Sequence, residues 1–166
     1  MPTLKAESIR EVAHHVLRAS GASEENAKTM ASHLADANLA GHDSHGFWRI
    51  GQYVDEIRKG RLKPGAQPEV VEDKKATAQV NGNGTFGQVV ARLATELAIG
   101  KAREHGISLV RMYNLAHTGR VGAWTEMAAQ KGMAAAMYTG LRGAGGVAPF
   151  GGRRGTMATN PFSMAF

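Results

Sequence analysis

The sequence contains no cysteine. That excludes disulfides, thiolate metal sites and a cysteine nucleophile, and it is compatible with a cytoplasmic protein. It also lacks any apolar run long enough to span a membrane. The opening residues, MPTLKAESIREVAHHVL, mix charges into their apolar pattern, so they do not read as a signal peptide. No internal repeat and no long disordered tract is visible. Acidic residues are the minority, 14 against 20 Lys and Arg, for a net charge of +6. A basic chain can attract nucleic acid, but these cations are scattered. The densest cluster, Arg153-Arg154, and the pair Lys74-Lys75 lie beside no aromatic platform. They read as solvated surface, and an anionic small molecule would engage only one or two such cations. The expectation is no nucleic-acid partner and no membrane.

What is present is ordinary globular composition, 43% hydrophobic and 20% charged over 166 residues, enough for one sizeable core. Ile9, Val12, Ala13, Val16 and Leu17 recur at helical spacing and predict an amphipathic helix over about 4–19, ended by Gly21. Ser23 can cap a second helix that opens with Glu24 and Glu25 and buries Ala27, Met30, Ala31, Leu34 and Ala35. The link His42-Asp43-Ser44-His45-Gly46 then leads to a third helix running to Gly60, with Phe47, Ile50, Val54 and Ile57 along one side. RLKPGAQP is linker chemistry and marks the boundary between this helical part and the rest of the chain.

Beyond it, 69–72 and 76–81 read as strands, Phe86 to Gly106 as a long helix, 107–113 as a strand, 121–131 as a helix and 133–139 as a strand. Residues 140–155 form a glycine-rich segment, and the closing NPFSMAF reads as a strand entering a core. The ending reads as a truncated unit. Alternating strands and helices predict an α/β layer with at least partly parallel strands.

Gly82-Asn83-Gly84-Thr85-Phe86-Gly87 matches G-x-G-x-x-G between a strand and a helix, the context of a dinucleotide fingerprint. The next strand offers no Asp or Glu for a ribose hydroxyl, only Arg111. The alternative is that these glycines make a tight turn and cap the helix.

His45, Arg49 and Tyr53 stand at i, i+4 and i+8, which on a helix forms one row facing away from Phe47, Ile50 and Val54. With Ser44 at the helix entry they suit a small carboxylate, which Arg grips through paired charge-assisted hydrogen bonds. The competing reading is a solvated polar face on which Arg49 pairs with Asp43 or Glu56. His117, in Asn114-Leu115-Ala116-His117-Thr118-Gly119, comes just after a strand, where α/β proteins bind ligands, and it can exchange a proton near neutral pH. The competing reading is surface decoration. His14, His15, His33 and His105 have no evident partner. His42 and His45 lack a third ligand at zinc-like spacing, so no metal site is expected.

Four stretches, in this order, resemble one family's signatures: His42-Asp43-Ser44-His45-Gly46 with Arg49 and Tyr53; Ala116-His117-Thr118-Gly119; Val147-Ala148-Pro149-Phe150-Gly151-Gly152; and Thr159-Asn160-Pro161. The family is that of the malate/L-lactate dehydrogenases, nicotinamide-dependent oxidoreductases of 2-hydroxy and 2-oxo acids. The resemblance implies an α/β fold of non-Rossmann type. A helical N-terminal subdomain would occupy 1–62, and 63–166 would be the first part of the cofactor- and substrate-binding domain, incomplete at its end. It implies NAD or NADP as cofactor, a small carboxylate substrate and a homodimer in the intact enzyme. His117 would be the catalytic acid/base, Ser44, His45, Arg49 and Tyr53 would surround the substrate carboxylate, and Thr139, Leu141 and Asn160 would lie near the cofactor. Gly140-Leu141 stands where relatives often have Asn-Ser, and Ala158 where they have Gly. Family members are about twice as long, so the chain alone is expected to be inactive. A non-enzymatic remnant is the remaining alternative.

Overall fold

The computed structural model describes residues 3–140 and 146–166. Helix α1 (Ala6–Ala19) ends at Gly21, whose φ of 91° reverses the chain. Helix α2 (Glu24–Leu39) starts as its sequence predicts, with the Ser23 hydroxyl accepting from the Asn26 N–H at 3.1 Å. The two helices pack on each other through Ala13, Leu17, Met30 and Leu34, all fully buried. Burial of each large side chain here contributes about 1.5–3 kcal/mol. Tyr53, Leu62, Phe86 and Val89 complete the same cluster, so one core draws on both sides of the linker.

The third helix departs from expectation. Residues 43–49 form two 3₁₀ turns, Asp43–His45 and Phe47–Arg49, and helix α3 covers only Ile50–Arg58. His45, Arg49 and Tyr53 therefore do not make one helical row. Tyr53 is also not on a polar face: only 2% of it is exposed, and it joins the core beside Phe86. The physical reason lies at Gly46, where the chain breaks helical register and presses against Asn38.

Strands β1 (Glu69–Asp73) and β2 (Thr77–Asn81) pair antiparallel. Helix α4 (Gly87–His105) then crosses over to β3 (Leu109–Tyr113), which pairs parallel with β2 from Thr77↔Leu109 to Asn81↔Tyr113. Val80, Val90 and Ala94 form a second buried cluster with Leu93, Leu97, Val110 and Met112 between this sheet and α4. Helix α5 (Gly122–Ala129) leads to β4 (Ala135–Tyr138), which pairs antiparallel with β5 (Phe162–Ala165). The Thr125 and Ser163 hydroxyls, 2.8 Å apart, tie α5 to β5. Among the described residues β3 and β4 each keep one unpaired edge, and between them lies a groove of about 790 Å³ lined by Ala98, Ile99, Met112, Trp124 and Met137.

The turn at 82–87 is stitched to the segment after β3. Gly82 N–H donates to Tyr113 O (2.9 Å), Gly84 N–H to Asn114 O (2.8 Å) and Ala116 N–H to Thr85 O (3.0 Å). A Cβ at Gly87 would stand 2.2 Å from Ala116 O and 2.4 Å from His117 O. The close backbone approach that a pyrophosphate would need is taken by residues 114–117, so Gly82, Gly84 and Gly87 serve a tight turn and helix packing rather than a dinucleotide fingerprint. Arg111, the other cofactor candidate of that reading, lies over the Tyr113 ring at 5.7 Å. Gly87→Ala is expected to lower stability by about 1–3 kcal/mol through overpacking, read by urea denaturation; wild-type stability would contradict this tight contact.

Candidate active site

Asn38, in the last turn of α2, organises the 3₁₀ segment at 43–49. Its Oδ1 accepts from the Phe47 N–H (2.8 Å) and its Nδ2 donates to Asp43 (2.5 Å). A Cβ at Gly46 would sit 2.3 Å from Asn38 Oδ1, so only glycine permits this contact. Within the turn the Ser44 hydroxyl lies 2.9 Å from His45 Nδ1. Arg49 is anchored along one side of its fork, Nε donating to Ser44 O (2.6 Å) and Nη1 to Gln52 Oε1 (2.8 Å). It does not pair with Asp43 or Glu56: Asp43 is held by Asn38 and Glu56 by Arg61.

From the other side comes the loop between β3 and α5. His117 Nδ1 lies 2.9 Å from the Tyr53 hydroxyl, and its ring lies 5.1 Å from that of His45. His45 in turn sits edge-on to His42 at 4.7 Å. Ser44, His45, Arg49, Tyr53 and His117, drawn from three segments, thus gather at one place. The loop is pinned by groups that the sequence did not single out. His33 Nε2 accepts from the Arg120 N–H (3.0 Å), and the His33 ring stacks on Trp124 at 4.9 Å. Trp124 Nε1 donates to Thr118 O (3.0 Å). A Cβ at Gly119 would lie 2.1 Å from His33 Nε2. Buried Gln88 donates to the Tyr53 hydroxyl at 2.6 Å.

Burial, then the positive charge of Arg49, then His45 and His33 hold His117 down to about 4. Burial, then Arg120, brings His33 to about 4 as well, against an opposing push from Asp36. His45 is lowered by burial, Arg49 and His42, in that order. Burial raises Tyr53, against the Gln88 hydrogen bond and Arg49. Near neutral pH the three imidazoles are uncharged and Arg49 is the local cation, an arrangement that attracts an anion.

The segment expected near a cofactor forms its own group at one end of the β4–β5 pair. Thr139 N–H donates to Pro161 O (3.0 Å), and the Thr139 hydroxyl is buried with no partner among the described residues. Asn160 adopts a left-handed φ of 41°, and its Oδ1 lies 3.9 Å from where a Gly140 Cβ would be. Leu141 lies outside the described residues. No hydrogen bond among the described residues joins this group to His117. Nor, among them, do three His, Cys, Asp or Glu side chains cluster as metal ligands, and no helix is long and apolar enough to cross a membrane.

Such a site, an Arg beside a half-buried His of lowered basicity, has the makings of a carboxylate-binding proton-transfer centre. The sequence profile of malate/L-lactate dehydrogenases matches residues 4–166, and the chain belongs to that family. It is 39% identical to hydroxycarboxylate dehydrogenase B of Escherichia coli over 97% of its length, covering 45% of that relative. L-sulfolactate dehydrogenase of Methanocaldococcus jannaschii is 37% identical over 98% of the chain, which covers 47% of it. The solved sulfolactate dehydrogenase of the same organism superposes with a TM-score of 0.91 at 37% identity, over 98% of this chain and 47% of that one. Malate dehydrogenase of Pyrococcus horikoshii does so at 0.90 and 34%, over 98% and 46%. The chain thus spans about half the length of the relatives it matches.

The depressed histidines set a pH dependence. An unfolded His titrates near ~6.5, whereas His33 and His117 do so at about 4 when folded. Between these values the unfolded chain binds more protons, so stability falls as pH drops from ~6.5 towards 4 and is fully present above ~6.5. His33→Gln is expected to flatten that fall, measured as Tm against pH; an unchanged slope would contradict a neutral buried His33.

Proposed function

We propose that this chain provides the substrate-holding and proton-transferring part of an oxidoreductase that moves hydride between a nicotinamide, NAD or NADP, and a small 2-hydroxy or 2-oxo acid. The observation that carries this reading is the Tyr53–His117 hydrogen bond, which fixes a half-buried imidazole beside His45 and Arg49. The relatives named for activity on malate and sulfolactate agree with a small acid as substrate.

Arg49 holds the carboxylate, using the Nη2 edge left without a hydrogen bond among the described residues. Ser44 and His45 complete the anion's hydrogen bonds. A bound carboxylate offsets the Arg49 charge that depresses His117, so the imidazole basicity rises towards its ordinary range. His117 then delivers a proton to the C2 oxygen during reduction and takes one from the hydroxyl during oxidation. When bound, the nicotinamide supplies or accepts the hydride at C2. The buried Thr139 hydroxyl, without a partner among the described residues, fits a role in holding it, with Asn160 close by. The enzyme is read as a cytoplasmic homodimer.

The 166 residues alone are inactive in this reading. The open β3–β4 groove and the span of about half the relatives' length support that. The test joins this chain to the second half of the Escherichia coli relative. The chimera is expected to oxidise or reduce a small 2-hydroxy/2-oxo acid with NAD(P), and a folded but inactive chimera would reject the reading. In it, His117→Ala should lower kcat by about 10²–10⁴. Arg49→Lys should raise KM roughly tenfold or more, through loss of one charge-assisted hydrogen bond of about 1.5–3 kcal/mol. NAD(P)H fluorescence titration of the chain alone should show no tight binding; sub-micromolar affinity would contradict its inactivity alone.

A further inference from the structure

Gln88 has no part in the proton and hydride transfers of the proposed reaction, yet it is fully buried and polar, at the first turn of α4. Its Nε2 donates to the Tyr53 hydroxyl at 2.6 Å, and that hydroxyl is 2.9 Å from His117 Nδ1. A phenol has one proton to give. With the amide N–H directed at the Tyr53 oxygen, the Tyr53 proton is left to be donated to His117 Nδ1, which in that arrangement accepts. The remaining proton of the neutral imidazole resides on Nε2, the nitrogen that makes no hydrogen bond among the described residues. Three side chains from three elements thus form a directed relay, Gln88 to Tyr53 to His117.

The relay can also run the other way. An amide turned by half presents its carbonyl; Tyr53 then donates to Gln88 and accepts from a protonated Nδ1. Gln88 Oε1 has no partner among the described residues, so no other hydrogen bond opposes a turn of the amide when the charge of His117 changes. A side-chain amide offers a donor and an acceptor of similar size from one position.

We propose that Gln88 is a positioning residue for the proton transfer: acting through Tyr53, its amide dictates which ring nitrogen of His117 carries the proton. This rests on His117 being the acid/base of the proposed dehydrogenase. In the free site Nε2 carries the proton. When His117 is charged, with both ring nitrogens protonated, the amide turns and the relay reverses, so Nδ1 keeps a partner in both states. That spares a buried N–H or lone pair the cost of standing unpaired during each turnover.

The test is ¹H–¹⁵N imidazole NMR of the 166-residue chain at pH 7, with amide spectra as the check of folding. In the wild type, His117 is expected as a single tautomer protonated on Nε2. Gln88→Met keeps the volume and removes both hydrogen-bonding functions, and it is expected to leave a mixture of tautomers. Gln88→Glu offers Tyr53 an acceptor and is expected to move the proton onto Nδ1. A wild type protonated on Nδ1 would overturn the proposal, as would folded Met and Glu variants that both keep the wild-type tautomer. Because the wild-type spectrum alone decides the direction of the relay, a variant that fails to fold does not rescue the proposal. These spectra need no turnover: an inactive chimera with the expected tautomers would reject the dehydrogenase reading while leaving the relay in place.

Discussion

The contact on which the site depends is the approach of α4's first residue to the backbone after β3. Ala116 O and His117 O come so close to Gly87 that no side chain fits between them. That contact fixes where the loop leaves the sheet. It thereby sets His117 over the Tyr53 hydroxyl, itself embedded in the core formed by α1, α2 and Phe86. The helical N-terminal part and the α/β part meet through this shared core, and the candidate chemistry sits at their seam. The loop that carries His117 is thereby braced by α3 and α4 through Tyr53 and Gly87.

The same packing sets the electrostatics. Burial of His33 and partial burial of His45 and His117, with the positive charges of Arg49 and Arg120 beside them, hold all three imidazoles below their ordinary basicity. No carboxylate hydrogen-bonds to Arg49 among the described residues; the nearby acids Asp43 and Glu56 are engaged by Asn38 and Arg61. A cation whose protein partners are a carbonyl and an amide is set to receive an anion from solution.

Much of this was legible in the sequence, for physical reasons that can be named. The apolar stripes of α1 and α2, the Ser23 cap and the parallel β2–α4–β3 unit arise from periodicity and capping chemistry, and they stand close to their expected positions. That Ser44, His45, Arg49, Tyr53 and His117 would share one candidate site was also legible, but their arrangement was not. Four-residue spacing suggested that His45, Arg49 and Tyr53 share a helix face. Gly46 instead breaks the helix to let the chain touch Asn38, a contact between sequence-distant groups that no periodicity encodes. The supporting residues escaped notice because each is polar on an otherwise apolar row. His33 lies three residues after Met30 and Gln88 three before Ala91, both fully buried. A polar residue on a buried face must find a partner, and that rule, applied to these positions, is the signal that would have found them.

The most direct measurement of the central claim is the ionisation of His117 with and without a small dicarboxylate. Oxalate, which resembles a 2-oxo acid, is titrated into the chain while the His117 ring is followed by NMR against pH. A carboxylate held by Arg49 beside the imidazole should carry the His117 pKa upward from about 4. Saturating oxalate that leaves His117 unmoved, or moves only other histidines, would contradict a substrate site built around Arg49 and His117.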